Sequence, residues 1–183
     1  MKILIRKSYT FEYAHTIFNQ QCTKFNPETR CKSIHGHSGK VDIEISNSNF
    51  GEHIKTESGM VVDFNNLKPI KDYFDFLDHS MIISSMDKKT IERFGLNRYV
   101  DLNFDFLPGT LQLADRAERL WVLFHQPATS ENLAIAFGYR IQGYLWDIEK
   151  ELNDGKLFLE KLTFSEKENN SVIINYEEKT NVK

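Results

Sequence analysis

The chain has 183 residues, 40% of them hydrophobic and 13% aromatic, which is enough for one domain with a full core and cramped for two. A formal net charge of −3, with lysines and arginines scattered along the chain, excludes the basic field that nucleic acid requires, and LAIAFGYRIQGYLW, the most apolar segment, is broken by Gly, Arg and Gln and so is no membrane span. Two cysteines, Cys22 and Cys31, are too few for a disulfide framework, and MKILIRKSYTFEY alternates where a secretory leader would be basic and then apolar, so a soluble protein of the reducing cytoplasm is expected.

From Lys2 to His15 the apolar residues Ile3, Ile5, Tyr9, Phe11 and Tyr13 fall on odd positions, the period of a half-buried strand that delivers His15 to its end. The same period returns from Ser38 to Asn47, where Val41, Ile43 and Ile45 alternate with Lys40, Asp42 and Glu44. His35 and His37 therefore sit just before or at the start of a second strand, and SNSNFGEH reads as the turn after it. GMVVDF reads as a short apolar strand. Asp63 or Asn65 then caps a helix with Leu67, Ile70, Phe74 and Leu77 at three- and four-residue steps, ending near Asp78 and His79. Pro69 in its first turn forfeits no helical hydrogen bond. Between Ser84 and Gln126, Pro108-Gly109 marks a turn and LQLADRAERLWVLF reads as a strand or a short helix. Thr129 or Ser130 caps the strongest helix, with Leu133, Phe137, Ile141, Tyr144, Leu145, Ile148 and Leu152 along one stripe and Asn153-Asp154-Gly155 at its end. Two last strands, about Lys156 to Ser165 and Ser171 to Tyr176, flank the polar turn EKENN, and residues 177–183 read as a loose tail. The order predicts an α+β fold, an antiparallel sheet with two helices on one face. A single domain is expected over 1–176, with a long connecting stretch at about 84–126.

The chemistry concentrates around CKSIHGH, residues 31–37. Residues two apart on a strand project to the same side, so His35 and His37 can reach one ion, and His15 at the end of the neighbouring strand can complete a three-histidine set. Three imidazoles without a fourth protein ligand describe a catalytic zinc site with an open position. A His-x-His pair alone is more often two solvated or core histidines; the third histidine separates this case from that one. Cys31 precedes the pair in a loop expected to fold back toward the metal, where a thiolate can act as a base. A lone cysteine is more often a small buried hydrophobe, which is how Cys22 reads. In Asp78-His79 the carboxylate can hold the imidazole in one tautomer, although adjacent Asp and His are common by chance. Glu166 is either a strand-end carboxylate aimed into a pocket or one more acid of the turn SEKENN, and composition alone favours the turn. Glu131 reads as a first-turn helix acid.

Taken in order, these pieces resemble the 6-pyruvoyltetrahydropterin synthase and 6-carboxytetrahydropterin synthase family. FEYAH (11–15) resembles its first metal motif and CKSIHGH its cysteine with the second and third ligands. GMVVDFNNLK (59–68) is similar to its strand-to-helix segment, LDH (77–79) to its Asp-His pair, TSENLA (129–134) to the start of its second helix, and LTFSE (162–166) to the strand ending in its pterin-anchoring glutamate. The resemblance implies a four-stranded antiparallel sheet with two helices on one face (the tunnelling fold, or T-fold), assembly into trimers or hexamers, and active sites between subunits. It implies Zn2+ on His15, His35 and His37, catalysis by Cys31, Asp78 and His79, and Glu166 as the anchor of a pterin triphosphate substrate. The three-residue gap between Cys31 and His35 resembles the carboxytetrahydropterin branch of queuosine and other 7-deazapurine synthesis. A pyruvoyltetrahydropterin synthase or a side-chain-cleaving paralogue is the second enzyme reading, and a non-catalytic pterin- or zinc-binding protein the alternative of another class. The chain departs from the family in Ile82-Ile83, where Leu-Asn is usual, in the one-residue-longer PATSEN, and in two long insertions, FNQQCTKFNPETR and 84–126.

Overall fold

The structure, a computed structural model, describes residues 2–25, 27–50, 56–97 and 108–176. Part of SNSNFGEH, part of the insertion and the tail expected at 177–183 lie outside the described residues. Strands β1 (Ile5–His15) and β2 (His35–Asn47) pair antiparallel over their full length, from Ile5 opposite Ile45 to His15 opposite His35. The alternation read in the sequence is the burial pattern: Tyr9, Phe11 and Tyr13 are buried while Ser8, Thr10 and Glu12 are not.

Helix α1 (Lys68–Leu77) follows a single helical turn at Phe64–Leu67, whose entry is capped by Asp63 accepting from the Asn65 N–H at 2.8 Å. Its apolar face buries Ile70, Tyr73, Phe74 and Leu77. Helix α2 (Lys88–Arg93) is short, and helix α3 (Ser130–Leu152) begins after the Thr129 cap and stops where Asn153 turns left-handed at φ 51°. Strand β6 (Leu157–Lys167) pairs with β2, and β7 (Asn170–Asn175) completes a hairpin with it.

Three expectations need correction. Among the described residues the sheet has seven strands, in the order β4 (Leu111–Asp115), β5 (Leu120–Leu123), β3 (Ser80–Ser84), β1, β2, β6 and β7, where four antiparallel strands were expected. Strand β3 (Ser80–Ser84) runs parallel to β1 because α1 carries the chain back across the sheet, and β5 (Leu120–Leu123) runs parallel to β3. Both are continuous apolar runs buried on two faces: Ile82 belongs to the main core, while Ile83 joins Leu120, Val122, Phe124 and Ile91 of α2 in a second, smaller core. Helices thus lie on both sides of the sheet. Second, LQLADRAERLWVLF is a hairpin, β4 (Leu111–Asp115) with β5, and neither one strand nor a helix. The Asp115 carboxylate takes the backbone N–H groups of Ala117 and Glu118, at 2.8 and 3.0 Å, and so turns the chain. Third, GMVVDF forms no strand: Val61 and Val62 are buried, but the Val61 carbonyl is satisfied at 3.0 Å by the side-chain amide of Asn47, outside any ladder.

The main core closes on Phe11. Its ring lies 5.3 Å from that of Phe74 on α1 and 5.6 Å from that of Phe137 on α3, which places both helices on one face of β1 and β2. Gly39, opposite Phe11, makes room for it, since a Cβ there would lie 2.9 Å from the ring. Phe137 is fully buried against Phe11, Phe74 and Phe164. Phe137→Ala should therefore lower the unfolding free energy by about 3–5 kcal/mol. Urea denaturation checks this, and a loss below about 1 kcal/mol would show that Phe137 is not a shared anchor of the two helices.

Candidate active site

The β1–β2 register sets His15 opposite His35 and Tyr13 opposite His37. The three imidazoles extend the odd-numbered, core-facing row of Tyr9, Phe11 and Tyr13 to the end of the sheet. Their ring centroids are 4.6, 5.1 and 4.9 Å apart, and one nitrogen from each lies within 4.8 Å of the others. His15 is fully buried. Its Nδ1–H donates to the Ala128 carbonyl at 2.7 Å, which leaves the Nε2 lone pair buried with no hydrogen-bond partner. His35 Nδ1 faces the Ser33 carbonyl at 2.8 Å, so its Nε2 also bears the lone pair. A buried, orphaned nitrogen is costly, and a bound cation removes that cost. Burial pushes His15 down to about 4, against the opposing pull of the Ala128 carbonyl and Glu166 and with reinforcement from His35 and His37. Burial also lowers His37, with Glu166 opposing. His15 and His37 are thus favoured in the neutral, ligating form, and the donor set fits a divalent cation such as zinc with a position left open.

Glu166 stands on β6 beyond Leu162 and Phe164 on the same core-facing row, so it belongs to the strand and not to the polar turn that composition favoured. Its Oε1 lies 3.7 Å from His15 Nε2 and accepts the Tyr13 hydroxyl at 3.0 Å. Tyr13 is buried, and burial together with the Glu166 carboxylate pushes its phenol pKa far up, so the phenol is a donor at neutral pH. Sequence reasoning did not single out Tyr13; the signal was its place two residues before His15 in the same alternating row.

Asp78 and His79 follow α1 directly. Asp78 Oδ1 accepts the Glu12 backbone N–H at 2.6 Å, Oδ2 accepts His79 Nδ1–H at 2.8 Å, and the Arg119 guanidinium donates to the Asp78 carbonyl. Burial pushes the Asp78 carboxyl upward, but the Glu12 and His79 donors outweigh it and hold the group below its usual range. His79 takes a left-handed backbone, φ 56°, with its N–H on the Glu12 carbonyl at 2.6 Å. Its exposed ring lines an open groove of about 500 Å3 together with Glu12, Ala14, Gly36 and Ser38 of the even-numbered row and with Tyr13 and His37 of the odd-numbered one.

Cys31 sits half-buried in a single helical turn, Arg30–Lys32. Its carbonyl accepts the Ile17 N–H at 2.7 Å and its own N–H donates to Gln20 Oε1 at 3.1 Å, which ties this loop back to the end of β1. The Cys31 sulfur is not among the clustered metal-donor atoms. The structure therefore gathers His15, His35, His37 and Glu166, anchors the Cys31 loop next to β1, and sets His79 in a groove that His37 also lines. Cys22 is exposed, with its thiol 3.3 Å from the Pro27 carbonyl, which corrects its reading as a buried hydrophobe. Glu131 occupies the first turn of α3 as expected. Among the described residues no helix is long and apolar enough to cross a membrane.

Residues 4–177 match the family described as 6-pyruvoyl tetrahydropterin synthase. A 6-carboxy-5,6,7,8-tetrahydropterin synthase of Aquifex aeolicus is 29% identical over 119 residues, covering 57% of this chain and 70% of that one. A crystal structure of a Wolinella succinogenes protein superposes with a TM-score of 0.73 at 22% identity, covering 97% of this chain and 99% of the other. The 6-pyruvoyl tetrahydropterin synthase of Caenorhabditis elegans has a similar fold, with a TM-score of 0.53 at 18% identity over 97% of each chain.

The burial of His15 gives a pH dependence. Between its unfolded value of 6.5 and its folded value of about 4 the unfolded chain binds the extra proton, so stability contributed by this group is full above 6.5 and declines as pH falls through that window. Metal-stripped protein should lose on the order of 3 kcal/mol from this source between about pH 7 and about pH 4, and His15→Gln should lack that part of the slope. Urea titrations across the range check it; identical slopes for the two proteins would contradict a buried, neutral His15.

Proposed function

Because the chain belongs to the 6-pyruvoyl tetrahydropterin synthase family, we propose that it is a zinc-dependent lyase, a 6-carboxytetrahydropterin synthase. It would convert 7,8-dihydroneopterin triphosphate to 6-carboxytetrahydropterin with loss of triphosphate and acetaldehyde, in the cytoplasmic synthesis of queuosine and related 7-deazapurines. The observation that carries the reading is the buried, unpartnered Nε2 of His15 beside His35, His37 and the Glu166 carboxylate.

His15, His35 and His37 would hold the ion. Zinc bound there would supply a Lewis acid for the substrate side chain. The Glu166 carboxylate accepts hydrogen bonds from the 2-amino and ring N–H groups of the pterin and so fixes its orientation. Cys31 removes a carbon-bound proton as its thiolate. Asp78 holds the His79 Nδ1–H at 2.8 Å, which leaves Nε2 as the atom that accepts and relays protons. In this reading the chains assemble as a homotrimer or homohexamer of single-domain subunits, with active sites between subunits.

The test is product identification by mass spectrometry on 7,8-dihydroneopterin triphosphate, with and without chelator. The expected product is 6-carboxytetrahydropterin; a 6-pyruvoyl product, or cleavage of the side chain alone, assigns the chain to the other enzyme readings. Cys31→Ala should abolish turnover while the metal stays bound. Full activity in that variant would remove Cys31 as the base, and a fully active metal-free wild type would remove the mechanism.

A further inference from the structure

We infer that Tyr13 is a positioning residue: its hydroxyl orients the Glu166 carboxylate, and through it the heterocycle that Glu166 holds. The inference rests on the pterin reading above.

Among the described residues the Tyr13 hydroxyl is the hydrogen-bond donor to the Glu166 carboxylate. The pairing of β6 with β7 is irregular between Ser165 and Lys167, so Glu166 has no register partner on β7, and its side chain has three torsions to be fixed. Tyr13, by contrast, has no freedom. It is 3% exposed, and its ring is packed against those of Phe11, His15, His37 and Phe164, with centroids 5.5, 5.3, 5.7 and 6.1 Å away. The phenol hydroxyl therefore arrives at a fixed point, 3.0 Å from Glu166 Oε1. That bond occupies one side of the carboxylate and fixes the plane of the group. Oε2 and the second lone pair of Oε1 remain for two parallel N–H donors, the edge that a 2-amino-pyrimidinone ring presents. Tyr13 has a second effect on the same oxygen. Oε1 lies only 3.7 Å from His15 Nε2, and a carboxylate released from the phenol is free to swing onto a cation held there. Tyr13 thus keeps the carboxylate for the ligand and keeps the open metal position open.

The experiment is a double-mutant cycle in zinc-loaded protein with 7,8-dihydroneopterin as the probe. Wild type, Tyr13→Phe, Glu166→Gln and the double variant are compared for zinc content, for the dissociation constant of the probe, and for denaturation midpoint. Tyr13→Phe keeps the ring and deletes only the hydroxyl. It should bind the probe roughly tenfold more weakly, retain wild-type zinc, and cause no further loss in the Glu166→Gln background. Unchanged affinity, an equal loss in both backgrounds, or loss of zinc from Tyr13→Phe would overturn the proposal. If wild type holds zinc but binds no pterin, the function proposed above fails. The denaturation midpoints then decide for Tyr13: an effect of Tyr13→Phe that disappears with Glu166→Gln supports the orienting contact, and equal effects in both backgrounds overturn it.

Discussion

The site depends on the pairing register of β1 and β2. Side chains alternate across a strand, so a slip of one residue would carry a whole row to the other face. With Ile5 opposite Ile45 and His15 opposite His35, Tyr9, Phe11 and Tyr13 all face the helices, and so do the imidazoles that follow them. The apolar end of the row fixes the polar end. Phe11, packed between Phe74, Phe137 and Phe164 and admitted by the missing side chain of Gly39, holds the register that sets the three histidines together.

Around the row, polar groups are satisfied in ways that leave chosen atoms unsatisfied. The Ala128 carbonyl, just before α3, occupies His15 Nδ1 and so fixes which nitrogen faces the other imidazoles. Thr16, the next residue, donates to the buried Asp87 at 2.6 Å, and Asp87 in turn caps α2 by accepting the Thr90 N–H at 3.1 Å. Both helix starts are thereby tied to the end of β1. The inserted segment also contributes directly to the frame, since Arg119 donates to the Asp78 carbonyl and β5 flanks β3.

The strands and the long helix that carry the site were legible because one face of each is apolar and the other polar. The first two strands, the Thr129-capped helix and the row of three histidines follow from periods of two and of 3.6. What was hidden lacks that contrast. SMIIS and LWVL are buried on both faces and show no alternation, so their parallel pairing could not be read from period alone. GMVVDF is apolar enough for a strand, yet its backbone is satisfied by the Asn47 side chain. Glu166 was ambiguous because β6 runs two residues further into the polar stretch than the pattern indicated, to Lys167. Tyr13 was counted as a core aromatic, and its core burial is real; its hydroxyl acts at the same time on the site. The place of the His79 ring depends on the left-handed turn after α1, which no periodicity encodes.

This register brings three imidazoles, and no sulfur, within reach of a single ion. X-ray absorption at the zinc edge of protein loaded with zinc tests it directly. The account predicts about one zinc per chain with a nitrogen and oxygen shell at about 2.0–2.1 Å and the outer-shell signature of three imidazoles. A sulfur shell at about 2.3 Å, which would put Cys31 on the metal, or fewer than three imidazoles would contradict it.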